Sequence, residues 1–478
     1  MAFRLSLRDD VTMADRGPDV LQLNVPGRPA TVLAFKQLSP ALREVFARLG
    51  AGGVDEETIT EGVMEQDGPQ GLFKLTHFLK KLEDARLICR TVPGAAGPIA
   101  RIVPISDRWV MAEAPAAPVR LSRFAAVRRA GAHLVVESPL GYARVEVMSP
   151  DAVAAIGLIA SATTASSLAH KIGSSVETAT ALLTLLASAG ALTADDESGV
   201  PAEDTHPSLM QWEFHDLFFH SRSRLGRHNH PFGGTLAFEG VVPPLPAFKP
   251  PMGERIALPT PDLERLMRED VPFAKVVEER RSVREQGVSP ISVAQLGEFL
   301  YRAARAIEVF STEHGEVSKR VYPAGGGLYE MEVYAVVDRA DGLDAGLYHY
   351  DPNRHGLERV SARTPAVDAL IDQAFYTADG RSRPQVLLVL TARFQRMQWK
   401  YQSMVYAAVL KHVGVLYQQM YLTATAMGLA PCALGGGHAD LFADAAGLDY
   451  YAETSVGEFI LGTRLDASRA GSRFEAPR

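Results

Sequence analysis

The stretch Val386-Leu-Leu-Val-Leu-Thr391 constrains the fold most. It is apolar without alternation, so both faces of the strand it predicts must be covered. After Phe394-Gln-Arg-Met-Gln-Trp-Lys400-Tyr401, the spacing of Val405, Ala408, Val409, His412, Val413, Leu416 and Met420 predicts a long helix to about Met427, which Gly428-Leu429 ends. This apolar stripe is too extensive for one exposed face and predicts a partner surface in a dimer.

At 478 residues the chain predicts two to four domains. A formal net charge of -7 argues against a dedicated nucleic-acid binder. No apolar run approaches the roughly 20 residues of a membrane span. The first ten residues lack the apolar core of a signal peptide. The two cysteines, Cys89 and Cys432, lie far apart, so neither a disulfide framework nor a zinc cluster is expected, and a reducing cytoplasm fits.

The N-terminal third reads as one pattern written twice. Ser39-Pro40 opens a helix carrying Leu42, Val45, Phe46 and Leu49; a short helix follows Asp55; a third carries Leu72, Leu75, Leu79 and Leu82; Leu87-Ile88-Cys89 starts a strand. Ser149-Pro150 opens the second copy, with helices through Ile156, after Thr164 and through Leu182–Leu186, and Ala191-Leu192-Thr193 as the exit. Three helices and a β-ribbon make a winged helix, here duplicated. The first two hundred positions are slightly acidic, which disfavours DNA. The edge of a β-ribbon suits an extended peptide instead, and a scaffold that binds nothing stays open.

Residues 206–260 read as a join. Its prolines, from Pro243 to Pro251, predict an extended segment wrapped over a surface. His215, His220, His228 and His230 lack recognised ligand spacing, so no metal is expected.

The chemistry gathers in the last two hundred residues. Arg280, Arg281, Ser282 and Arg284 place three guanidiniums and a hydroxyl within five residues, a donor set that matches phosphate oxygens. A solvated basic turn is the plain alternative. Ser292-Val-Ala-Gln295 is a capping box. Tyr322-Pro323-Ala324-Gly325-Gly326-Gly327 precedes the strand Met331–Val337, and three glycines there let backbone approach a flat ligand. Since the strand follows the glycines, this is neither a P-loop nor a dinucleotide fingerprint. A second glycine loop, Leu434-Gly435-Gly436-Gly437, and a terminal strand ending at Arg464 complete the set.

Taken in order, Glu-Arg-Arg-Ser-Val-Arg, Tyr-Pro-Ala-Gly-Gly-Gly-Leu-Tyr, Leu-Tyr-His-Tyr-Asp, Lys-Tyr before a long helix, Met-Gly-Leu before a glycine loop and Ile-Leu-Gly-Thr-Arg resemble the nitroreductase-like flavoproteins, specifically the SagB-type thiazoline/oxazoline dehydrogenases. The resemblance is strong over roughly residues 260–466 and looser before them. It implies an α+β fold, an antiparallel sheet flanked by helices binding FMN at a homodimer interface. The expected organisation is a winged-helix-like unit over 1–110, a second over 111–205, the join over 206–260 and the nitroreductase-like FMN domain over 261–478.

The resemblance also distributes roles. Arg280, Arg281, Ser282 and Arg284 would take the FMN phosphate and ring edge, and Arg464 could reach the phosphate. Pro323, Ala324, Gly325 and Gly326 would lie against the ring. Leu434, Gly435 and Gly436 would meet it through backbone. Where the family often has Pro-Ser-Gly-Gly, this chain has Ala324 in place of the serine, so that hydroxyl contact is absent or replaced by backbone. Lys400 and Tyr401 match the family's Lys-Tyr pair: the lysine as the base that takes a proton from carbon, the tyrosine orienting it or relaying the proton. The implied reaction oxidises azoline rings of a ribosomally made peptide to azoles, after a partner cyclodehydratase has formed them, with dioxygen reoxidising the flavin. An NAD(P)H-dependent nitro- or quinone reductase of the same fold, and a leader-peptide-binding scaffold, stay open.

Overall fold

The strand Val386–Arg393 is buried at every residue, and its alternate side chains enter two different cores. The structure, a computed structural model, describes residues 3–17, 19–25 and 31–465. Residues 466–478 of the expected last domain lie outside them. The chain divides into two compact units, Met1–Pro231 and Phe232–Arg478.

In the second unit, seven antiparallel strands lie in the order Arg255–Ala257, Gly356–Ala362, Gly346–Asp351, Met331–Val337, Val386–Arg393, Glu453–Thr463, Leu429–Leu434. Leu388, Leu390 and Ala392 pack with residues of the helices Val293–Ala304 and Val405–Ala426. Leu387 and Val389 pack on the other face with those of Pro365–Thr377 and Ala439–Ala446. Full burial of each large aliphatic side chain contributes roughly 1.5–3 kcal/mol, which is why an unbroken apolar run here fixes the sheet. The capping box forms as read: Ser292 and Gln295 satisfy each other's backbone N–H groups.

Between the second core and the proline-rich segment runs a buried ionic network. Lys249 Nζ donates to Glu453 Oε2 (2.6 Å) and to Tyr334 Oη (2.6 Å). Arg393 donates to the carbonyls of Pro246 (3.0 Å) and Ala247 (3.4 Å) and to Glu332 (3.3 Å). The part of the join that lies in the second unit is therefore a strap fastened by buried cations, and its end adds the strand Arg255–Ala257 to the sheet.

In the first unit, Ser39 and Ser149 cap helices that begin with Pro40 and Pro150. The first copy's second and third helices run together as Glu56–Asp84, kinked at Gly68 (φ 65°) before Pro69. The hairpin Ile88–Gly94/Gly97–Pro104 follows as its wing. An antiparallel meander, Thr12–Asp15, Val20–Val25 and Thr31–Lys36, precedes it and was not expected. The second copy has its three helices, Pro150–Leu158, Ala165–Ile172 and Val176–Ser188, but departs from the expected ribbon. Its exit strand Leu192–Ala194 pairs backwards with Val119–Leu121, since the acidic, polar residues after it offer no second apolar strand.

His349 supplies a pH test of the second unit. Its Nε2 faces Glu332 (3.1 Å) and its Nδ1 faces Glu358 (3.2 Å). Both nitrogens can donate only in the imidazolium form. Burial alone would push the His349 pKa down, but Glu332 and Glu358 outweigh it and hold it above the ordinary value. Burial likewise works against the Glu332 carboxylate, yet His349, Arg320 and Arg393 bring its pKa down to about 2. The histidine's contribution is complete below its unfolded pKa of about 6.5 and is lost as pH rises through the folded value. That of Glu332 is complete above about pH 4.3 and is lost as pH falls towards 2. The urea midpoint of the wild type should therefore fall with pH on the alkaline side, and His349→Gln should flatten that slope. Equal slopes in the two proteins would refute the pairing.

Candidate active site

Lys400 and Tyr401 stand on a backbone clamped from several directions. Tyr401–Gln402 pairs antiparallel with Gly233–Gly234. The Lys400 carbonyl accepts from the backbone of Thr235 (2.9 Å) and Leu236 (3.1 Å). Beside them Trp399 Nε1 donates to the Val242 carbonyl at 2.8 Å. Arg396, buried, donates to the carbonyls of Leu328 (2.8 Å), Glu316 (2.9 Å) and Leu245. Burial, helped by Arg393 and Arg320, brings its pKa down to about 10.

Lys400 Nζ and Tyr401 Oη both lie against the glycine turn. Gly326 has φ 63° and Gly327 φ 69°, the left-handed region that glycine tolerates best. A Cβ on Gly326 would lie 2.5 Å from Tyr401 Oη and 3.3 Å from Lys400 Nζ. Thus residues about 75 apart in sequence meet, and the exposed rim of the turn is made by Pro323 and Gly326. Beneath it Gly325 N donates to His412 Nε2 (2.9 Å), and His412 Nδ1 faces Glu330 Oε1 (2.6 Å). Ala324 is half-buried against the main core.

The arginine loop is a second cluster. Arg280 ends the helix Phe273–Glu279 and lies over the Tyr421 ring, 5.2 Å from its centroid. Ser282 Oγ is 2.8 Å from Tyr421 Oη, which also accepts from Ala433 N (2.8 Å). Val283 N donates to the Pro431 carbonyl (2.7 Å), and Arg464 Nε to that of Leu429 (2.9 Å). Loop and Arg464 are thereby tied to the strand Leu429–Leu434, which runs into Gly435 and Gly436. The Leu434 side chain is buried in the second core, so only its backbone is available. Among the described residues neither Arg280 nor Arg281 is paired with a carboxylate, while exposed Arg284 lies 3.4 Å from Asp379. Guanidiniums without carboxylate partners, beside a hydroxyl, fit a phosphate ester.

The two clusters do not meet within one chain. His412 and Tyr421 are nine residues apart on the helix Val405–Ala426. That is two and a half turns, so they face opposite sides, roughly 13 Å apart along the axis. His412, Glu330 and Tyr421 were not expected as site residues. Their signal was a polar group in a buried phase: a histidine within an apolar helical stripe, a glutamate opening a core strand.

Among the remaining histidines, His228 and His230 stack on each other at 5.7 Å. Burial, with Arg222 nearby, pushes the pKa of His230 down to about 4. Cys89 and Cys432 are buried thiols. Among the described residues no helix is long and apolar enough to cross a membrane.

Comparison with known proteins extends this picture. Residues 1–111 match the family model described as the ThcOx helix turn helix domain, residues 119–229 that of cyanobactin oxidase ThcOx, and residues 277–463 that of the nitroreductase family. A nitroreductase-type protein of Methanocaldococcus jannaschii is 28% identical over 187 residues, 38% of this chain and 86% of that protein. The trifolitoxin-processing protein TfxB of Rhizobium leguminosarum bv. trifolii is 29% identical over 132 residues, 27% of this chain and 35% of that one. The microcin B17-processing protein McbC of Escherichia coli is 28% identical over 128 residues, 26% of this chain and 46% of that one. The match thus spans less than half the length of either peptide-processing relative.

The two glycine loops make contrasting predictions. Gly326→Ala meets Tyr401 Oη and takes a left-handed φ, so it should destabilise the chain by at least about 1–2 kcal/mol. Gly435→Ala has nothing within 4 Å of its new methyl and should stay within about 0.5 kcal/mol. Urea unfolding of flavin-free protein measures both; equal effects would mean the turn does not hold the contact described.

Proposed function

We propose that this chain, which belongs to the nitroreductase-like oxidoreductases of SagB type, oxidises thiazoline or oxazoline rings of a ribosomally made peptide to thiazoles or oxazoles. The observation that carries the reading is the convergence of Lys400 Nζ and Tyr401 Oη on Gly326. The peptide-processing relatives and the cyanobactin oxidase match support it.

The residues present fit FMN. Arg280, Arg281, Ser282, Arg284 and Arg464 would hold its phosphate, and Pro323–Gly326 with the backbone of Leu434–Gly436 its ring. Bound there, FMN supplies a two-electron acceptor for the hydride, which dioxygen can reoxidise with release of hydrogen peroxide. The chain's own part is the proton. Turning an azoline into an azole removes one hydride and one proton from adjacent ring carbons. Lys400 Nζ is the base for the proton, and Tyr401 Oη steadies the heterocycle or the amine. Their clamped backbone keeps both aimed at the turn.

Two identical chains would complete the site. The arginine loop and the glycine turn lie on opposite sides of one helix, so a single ligand reaches both types of group more readily across a homodimer. Exposed Tyr406 and Leu410 on that helix give such an interface apolar surface. The substrate peptide would come from a cyclodehydratase partner, in the cytoplasm.

A second reading rests on the match that spans most of the Methanocaldococcus protein: reduction of nitro compounds or quinones by NAD(P)H. Rapid NAD(P)H oxidation together with inertness towards azoline peptides would favour it.

Two predictions follow from these roles. Purified protein should be yellow, and Arg281→Ala and Arg284→Ala should each weaken FMN retention by about 1.5–3 kcal/mol, the worth of a charge-assisted hydrogen bond. Full occupancy in the double variant counts against the phosphate site. Lys400→Ala should keep FMN yet slow flavin reduction by an azoline peptide at least about 100-fold in one anaerobic turnover. A wild-type rate removes Lys400 from the chemistry. Tyr401→Phe in the same assay separates a reacting hydroxyl from a ring that only packs.

A further inference from the structure

We infer that His412 is a positioning residue, which sets the glycine turn beneath Lys400 and Tyr401 and whose tautomer Glu330 fixes. Its bearing on catalysis rests on the azoline dehydrogenase reading.

The tautomer follows from donor arithmetic. The Gly325 N–H can only donate, so the His412 Nε2 that faces it at 2.9 Å must be bare. A neutral ring then carries its proton on Nδ1, which faces Glu330 Oε1 at 2.6 Å. Glu330 is fully buried. The Glu330 carboxyl oxygen accepts the Nδ1–H and leaves Nε2 as acceptor, the arrangement by which an acid orients a histidine for a third group.

The third group matters because of what lies above it. Tyr329 Oη donates to the Tyr322 carbonyl at 2.8 Å and secures the start of the turn. Arg396 Nε donates to the Leu328 carbonyl at 2.8 Å and secures its end. His412 holds the middle, one residue before Gly326. A Cβ on Gly325 would sit 3.4 Å from the imidazole Nε2, so the ring closes the space under the turn. Without that acceptor the Gly325 N–H loses its partner in a half-buried setting, and rotation of the 324–325 peptide, which carries that N–H and leads into Gly326, relieves this. Such a rotation moves the floor against which Tyr401 Oη and Lys400 Nζ rest. His412 touches neither of those groups, and it acts through the turn.

The test uses the full chain as purified. Nitrogen NMR of protein labelled in histidine should give His412 a protonated Nδ1 and a bare Nε2; a protonated Nε2 overturns the assignment without any variant. Hydrogen exchange of the Gly325 amide should quicken about tenfold or more in His412→Leu, as loss of one half-buried hydrogen bond allows. His412→Gln, whose carbonyl can accept in place of Nε2, should restore most of the protection. Unchanged exchange in His412→Leu, or no recovery in His412→Gln, refutes the latch. In single-turnover flavin reduction His412→Leu should slow the chemical step about tenfold with peptide affinity retained, and His412→Gln should recover most of it. Loss of affinity alone, or a normal rate on a loosened turn, refutes the positioning role. The NMR and exchange arms need no peptide substrate. A wild-type protein that leaves azolines untouched therefore sinks the proposed reaction while the latch stands or falls on its own.

Discussion

Arg396 is a buried guanidinium that lives on carbonyls. It binds the end of the glycine turn at Leu328, the hairpin of Ala306–Thr312 and Gly315–Arg320 at Glu316, and the strap at Leu245, and its own backbone leads in four residues to Lys400. Among the described residues no carboxylate is paired with it. A buried charge whose partners are neutral is costly to strand, by several kcal/mol. The four segments therefore cannot drift apart singly. That constraint, more than any feature of Lys400 itself, makes a defined meeting of Lys400, Tyr401 and Gly326 possible.

Much of the second unit was legible because its signals are local. The apolar run at Val386–Thr391, the capping box at Ser292 and the glycine end of the long helix each depend on residues close in sequence. The resemblance supplied Lys400 and Tyr401, whose meeting with Gly326 no spacing argument could reach, being a product of three-dimensional closure. His412 and Glu330 escaped notice for the opposite reason. In a helical stripe of valine, leucine and methionine a histidine passes as core, and its partner opens a strand. Only the tertiary fold brings the two together. The second copy differs in its ribbon: repeated Ser-Pro openings predict repeated helices, whereas a ribbon needs a second strand, which Leu192–Ala194 finds upstream in Val119–Leu121.

Electrostatics divides the second unit by depth. Its inner network, around Glu332, His349, Lys249 and Glu453, is matched charge for charge and holds the strap down. At the rim, Arg280 and Arg281 are left without carboxylates. Arg396 is the third case, a buried charge that locks through carbonyls in place of a carboxylate.

The strap reaches beyond the matched families. Residues 233–257 clamp the Lys-Tyr segment, yet they fall in the stretch between the matched families, which end at residue 229 and resume at 277. The portion of chain that can be inherited, transplanted or fused as a working module is therefore longer than the portion that sequence families mark out. A graft cut at the family boundary would carry six of the seven strands, both glycine loops and the Arg280–Arg284 loop, but would leave behind the belt that keeps the Lys400–Tyr401 corner in shape.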